Sequence, residues 1–190
     1  MALSEARITI ELREVFLNDR PIELYQISKK GTVPVLKINN LVIDESIDIM
    51  HWAIEQSNLK WLDENREKQL NYINTNDTDF KYWLNRYKYH DRYPDNNKKY
   101  YRGKAMEILD KYDNHLEHTK FLAGDNIGIS DVAIFPFIRQ FCNVDQNWFM
   151  EHYNFLSNWL TDFIESELFL SIMNKYNKWE NSSERLILKF

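Results

Sequence analysis

Apolar and polar residues alternate at Ile8, Thr9, Ile10, Glu11, Leu12 and Arg13, the period of a half-buried strand. Ahead of this run, residues 1–7 read as the last turns of a helix. Residues 21–27 predict a short helix with Pro21 in its first turn. A second extended run at Val35, Leu36, Lys37 and Ile38 meets Asn39-Asn40, a pair that tolerates the positive φ of a hairpin turn, and residues 41–43 return as a strand. Asp44, Glu45 and Ser46 then open a helix to about residue 57, with Ile47, Met50 and Ile54 on one stripe. Beyond a loose stretch at 58–65 the period is helical, over 66–76, 79–90, 98–119, 130–142, 154–165 and 167–176. Residues 130–142 are apolar nearly all round, as a central buried helix should be. The pattern predicts an α/β unit over residues 1–57 joined to an all-helical domain over 66–190.

Composition supports the helical reading. Gly and Pro number only four each in 190 residues, which argues against turn-dense sandwiches and glycine-rich phosphate loops. Charge is mildly acidic, with 24 Lys and Arg against 29 Asp and Glu, so neither nucleic acid nor an anionic membrane surface is the expected partner. The single cysteine, Cys142, excludes an intrachain disulfide and a cysteine-based zinc site. It follows Phe141 at the end of an apolar helix, where an inert buried thiol is the common case. His115 and His118 share a helix face at a spacing of three, but with no third ligand in view they read as a solvated pair beside Glu117, and no metal is expected. No apolar run is long enough to span a bilayer and no signal-type segment opens the chain, so the expected location is the cytoplasm.

Thr32-Val33-Pro34-Val35-Leu36, followed by the hairpin and by Asp44-Glu45-Ser46 at a helix start, resembles the glutathione transferase family. Phe80-Lys81-Tyr82 through Tyr89, Gly124-Asp125 through Phe137, and Asp145 with Trp148-Phe149 resemble a bacterial branch with a Cys-type active site. The resemblance runs over residues 2–179 and implies a thioredoxin-like N-terminal half, truncated here, followed by a helical bundle. It implies glutathione binding through Val33 and the cis Pro34, with the backbone of Val33 pairing with the cysteinyl unit. Glu45 would take the γ-glutamyl ammonium, and Ser46 with the helix N-terminus its carboxylate. Arg20, before Pro21, sits where the family often places a basic residue for the glycyl carboxylate. Tyr82, Arg86 and Tyr89, one face of the helix that also carries Trp83 and Tyr87, are implied in the pocket for an apolar co-substrate. A stripe of aromatic residues is more often core than pocket.

Two departures from the family pattern stand out. The buried helix usually begins Ser/Thr-x-x-Asp, a reciprocal cap; here Gly128-Ile129-Ser130-Asp131 keeps the acid and lacks the hydroxyl. Asp131 is assigned a structural role, with Ile127 and Val132 as the hydrophobic staple. The family's first strand and Cys-Pro turn map ahead of Met1, so no residue of this chain is assigned the catalytic position. Deprived of that strand, residues 1–17 are expected to be displaced, disordered or paired with another chain, while the 35–43 hairpin survives.

The resulting expectation is a glutathione transferase, conjugating glutathione to an apolar electrophile or exchanging it with a mixed disulfide, as a homodimer. With no thiolate at the sulfur, weak glutathione binding and little activity are expected of the 190-residue chain. The alternative is a non-catalytic ligand-binding or partner-binding protein on the same fold.

Overall fold

The computed structural model describes every residue, Met1–Phe190. It divides into two units, one of Met1–Leu59 with Glu167–Phe190 and one of Lys60–Ser166.

The first unit holds α1 (Ala2–Glu5), β1 (Ile10–Leu12), α2 (Ile22–Ile27), β2 (Leu36–Ile38), β3 (Leu41–Ile43) and α3 (Ser46–Glu55). β2 and β3 form the expected hairpin, Leu36 opposite Ile43 and Ile38 opposite Leu41, turned through Asn39 at φ +52°. Gly31 precedes it at φ +60°, and a Cβ there would lie 2.2 Å from the Tyr25 ring, so only glycine fits. α3 buries Ile49 and Ala53, one turn apart.

The end of the chain corrects the sequence reading. The helix expected over 167–176 stops at Leu170, and the last 24 residues join the first unit instead of continuing a helical domain to 190. Leu186–Leu188 forms β4, antiparallel to β1 with Ile10 opposite Leu188 and Leu12 opposite Leu186. Ile10–Leu12 thus pairs within the chain, in a two-stranded sheet apart from β2 and β3 and not in a regular four-stranded sheet. An unpaired strand edge needs donors and acceptors, and the β-prone run Leu186-Ile187-Leu188 supplies them. Side chains fasten the same seam. Arg185 Nε donates to Glu11 Oε2 at 2.8 Å, the Trp179 amide donates to the Glu14 carbonyl at 2.9 Å, and the Arg13 guanidinium lies 4.6 Å from the Trp179 ring centre. Lys178 pairs with Asp19.

The second unit is helical. It contains α4 (Arg66–Thr75), a widened π turn (Asn76–Phe80), α5 (Lys81–Lys88), a 3-10 turn (His90–Arg92), α6 (Lys98–Leu116), α7 (Ile129–Cys142), α8 (Gln146–His152) and α9 (Phe155–Glu165). α8, absent from the sequence reading, begins at Asp145, whose carboxylate accepts from the Trp148 amide at 3.3 Å. α7 is central: nine of its fourteen residues are buried, and Phe135 and Phe141 stack into aromatic clusters with Phe163 and with Tyr87 and Phe149.

The start of α7 shows how the missing capping hydroxyl is replaced. Asp131 accepts from the amides of Leu122 (2.7 Å), Ala123 (3.1 Å) and Gly128 (3.1 Å) and from Trp159 Nε1 (3.1 Å). Burial pushes its carboxyl up to about 6, against the pull of those donors. The amide of Ser130, which an N-cap side chain would normally satisfy, donates instead to Gln69 Oε1 at 3.1 Å, and the Ser130 hydroxyl donates to the same oxygen at 3.2 Å. Gln69 Nε2 in turn donates to the carbonyls of Trp61 (2.9 Å) and Glu64 (2.7 Å). A side chain from α4 caps α7 from outside.

Candidate functional site

The hairpin register brings two chain segments to one end of the first unit. Leu36 lies opposite Ile43, so the loop before β2, with Val33 and Pro34, and the segment after β3, with Asp44, Glu45 and Ser46, leave the hairpin together. The Val33–Pro34 peptide bond is cis and Val33 is 41% exposed. Glu45 is the N-cap residue of α3, in extended geometry, and no side chain caps this helix. The amides of its first turn therefore face outward unpaired, beside the exposed side chains of Glu45 and Ser46. Such a terminus carries partial positive charge and suits a carboxylate.

Lys30 clasps this end, and the sequence reading missed it. Its ammonium lies 2.6 Å from Glu45 Oε1 and 3.0 Å from Asp44 Oδ1, while Ser28 Oγ donates to Asp44 Oδ2 at 2.7 Å. The hydroxyl of Ser28, then Lys30, hold the Asp44 carboxyl below its usual range; Glu45, then Asp44, raise the Lys30 ammonium. The signal was present in sequence as Lys29-Lys30 one residue before the turn at Gly31, with an acidic pair across the hairpin. Arg20 is not brought to this cluster. It lies exposed in the loop ahead of α2, with no hydrogen bond or ion pair.

The second group divides. Arg86 lies against two rings, its guanidinium carbon 3.4 Å from the centre of Tyr82 and 4.6 Å from that of Tyr93. Tyr89 leaves the group because α5 ends at Lys88; at φ −119°, ψ 39° it turns out of helical geometry and packs against Lys88 and Arg92. Tyr87 is core, 1% exposed, and Trp83 stacks on Tyr101.

Other candidates take structural places. Cys142 is buried, and desolvation raises its thiol. His115 Nε2 lies 3.2 Å from the Leu122 carbonyl, and Lys68 stands 3.1 Å from Nδ1; burial, then that cation, lowers the imidazole. His118 points to solvent. Open cavities of about 310 Å³ beside Trp159 and Phe163 and about 460 Å³ under residues 175–179 include none of the predicted site residues.

Fold and hairpin end together define a thioredoxin-like unit followed by a helical one, with an uncapped helix start beside a cis-proline loop. A family model for the glutathione S-transferase N-terminal domain matches residues 1–61, and one for the C-terminal domain matches residues 54–167. The chain belongs to the glutathione S-transferase family. Similar solved structures include a family member from Pseudomonas fluorescens Pf-5 with two glutathione bound (17% identity, TM-score 0.77, covering 90% of this chain and 84% of that one). A glutathione transferase from Pseudomonas putida, with one glutathione disulfide per subunit, is 19% identical (TM-score 0.77, covering 90% and 82%). The ternary complex of BphK, a bacterial glutathione transferase, is 20% identical (TM-score 0.73, covering 90% and 88%). At these identities the likeness is one of fold. No curated protein sequence matches the chain. No helix is long and apolar enough to cross a membrane.

Proposed function

We propose that this chain binds glutathione within residues 1–57 of its first unit and presents the thiol to an apolar electrophile or a mixed disulfide, acting as a cytoplasmic homodimer. The observation that carries the reading is the uncapped start of α3, flanked by Glu45 and Ser46 at the hairpin end that also bears Val33. In this reading the first-turn amides and the Ser46 hydroxyl take the γ-glutamyl carboxylate, Glu45 the ammonium, and the backbone of Val33, before Pro34, the cysteinyl unit. Lys30 stands against Glu45 at the γ-glutamyl end, and the glycyl carboxylate, at the far end of the tripeptide, is assigned to Arg20. The helical part from residue 66 offers Tyr82 and Arg86 to the co-substrate. A free thiol has a pKa of about 8.5, so turnover at neutral pH needs a group that favours the thiolate.

Calorimetry with glutathione tests the binding, and Ser46→Ala and Glu45→Gln should each weaken it at least about tenfold, the scale of a lost charge-assisted hydrogen bond. Unchanged affinity in both variants would remove the site. A second reading, a binding protein without turnover, is favoured by the burial of the one cysteine, Cys142. Assays with chlorodinitrobenzene and a mixed disulfide separate the two, and light scattering checks the dimer.

A further inference from the structure

The end of the chain is attached to the first unit in an unusual way. No residue from Asn174 to Phe190 is buried. Just past the helix that ends at Leu170, the amides of Ser171, Ile172 and Met173 still bond back into its turns, but from Asn174 to Lys178 no amide donates to a backbone carbonyl. The segment then meets the β1 side at three places. Lys178 pairs with Asp19, the Trp179 amide donates to the Glu14 carbonyl, and Leu186–Leu188 ladders with Ile10–Leu12. Between these points an open cavity of about 460 Å³ separates Leu12 and Glu14 from Lys175, Tyr176 and Glu184, so the segment bridges the strand instead of packing along it.

Charge, and not apolar burial, closes this contact. Glu11 is at its centre: Oε1 accepts from Arg13 Nε at 2.9 Å, and Oε2 accepts from Arg185 Nε at 2.8 Å. Arg13 also lies against the Trp179 ring, so the same pair of residues serves both ends of the segment. These pairs stand in water, with the Arg185 side chain 76% exposed and that of Asp19 69% exposed. Ion pairs of this kind weaken with salt, as the screening length falls from about 10 Å at 0.1 M to about 3 Å at 1 M. The neighbouring α3 is fastened differently, by the buried Ile49 and Ala53. Segments with few buried contacts and exposed hydrogen bonds open locally, well before the fold as a whole.

We propose that residues 174–190 are a strap latched to β1 by charge, which opens as one piece at raised ionic strength while the rest of the first unit stays folded. Glu11 is the latch, because it bonds to one cation beside the strand and to one on the strap. Opening uncovers an edge of β1, a row of backbone donors and acceptors that β4 otherwise pairs. Ionic strength therefore sets the share of molecules that present this edge.

Hydrogen exchange on the full chain at about 0.05 M and about 0.5 M sodium chloride is the test. The ladder amides of β1 and β4 should exchange about fivefold or more faster at the higher salt, in step with each other, while amides of α3 and α7 stay within about twofold. Ladder amides that ignore salt, that change in one strand alone, or that speed up only together with α3 and α7 overturn the proposal. Glu11→Gln should bring the fast exchange to low salt and shrink its salt dependence, since both arginines lose their shared partner. Glu14→Gln alters a neighbouring carboxylate that has no ion pair and should exchange as the wild type does. Exchange in Glu11→Gln equal to wild type at both salts, or the same effect from Glu14→Gln, overturns the proposal as well. The wild-type salt series decides by itself if a variant folds poorly.

Discussion

Replacing Gly128 by serine restores the hydroxyl that the family pattern has at this helix start, and capping preference alone predicts a gain of a few tenths of a kcal/mol. The structure predicts the reverse. Gly128 has φ −128° and ψ 179°, open to any residue, so its need for glycine is a matter of space alone. A Cβ would lie 2.3 Å from Gln69 Oε1 and 2.4 Å from the Cβ of Ala123, itself 3% exposed and unable to retreat. Overpacking of this kind costs about 1–3 kcal/mol. Gln69→Ala should cost more. It strips the acceptor from the amide and hydroxyl of Ser130 and the donor from the carbonyls of Trp61 and Glu64, four hydrogen bonds around a side chain 1% exposed. At about 1 kcal/mol each, the loss is roughly 3–5 kcal/mol. A chain of this size loses about 2–4 °C in Tm per kcal/mol, so Gln69→Ala should melt roughly 6–20 °C lower and Gly128→Ser a few degrees lower. Circular dichroism melts with urea titrations at constant m read both. A Gly128→Ser protein as stable as wild type or more so, or a Gln69→Ala loss under about 1 kcal/mol, would refute the external cap.

Ile187→Pro removes a ladder hydrogen bond or forces β4 away; hydrogen exchange should show protection lost at the amides of β1 and retained in the β2–β3 hairpin. His115 has a folded-state pKa below the ordinary 6.5, so the unfolded chain takes up its proton first and stability falls as pH drops through 6.5 towards the folded value. The wild-type urea midpoint should therefore fall more between pH 7.5 and 5.5 than that of His115→Gln, and parallel falls would reject the assignment. Cys142, buried with a raised pKa, should react with Ellman's reagent only as fast as the protein unfolds; fast stoichiometric reaction in the native state would contradict its placement.

Short-range signals in the chain determined a large part of this protein. The alternation at 8–13, the Asn39-Asn40 turn and the 3.6-residue stripes of α3, α6, α7 and α9 each lie within one element, where local sterics and hydrophobic period decide conformation. The order of Thr32-Val33-Pro34, hairpin and Asp44-Glu45-Ser46 sufficed to indicate the family and the hairpin end. What tertiary structure decided depends on residues far apart in sequence. Gln69 caps a helix 61 residues away, and a glutamine on α4 gives no local sign of that task. β4 closes on β1 across nearly the whole chain, because only in space does the edge of β1 require a partner. Tyr89 was assigned by spacing to the face of Tyr82 and Arg86, but α5 ends one residue earlier, and the second ring over Arg86 comes from Tyr93 beyond the break. Periodicity holds only while the helix lasts, and where a helix ends is settled by the packing around it.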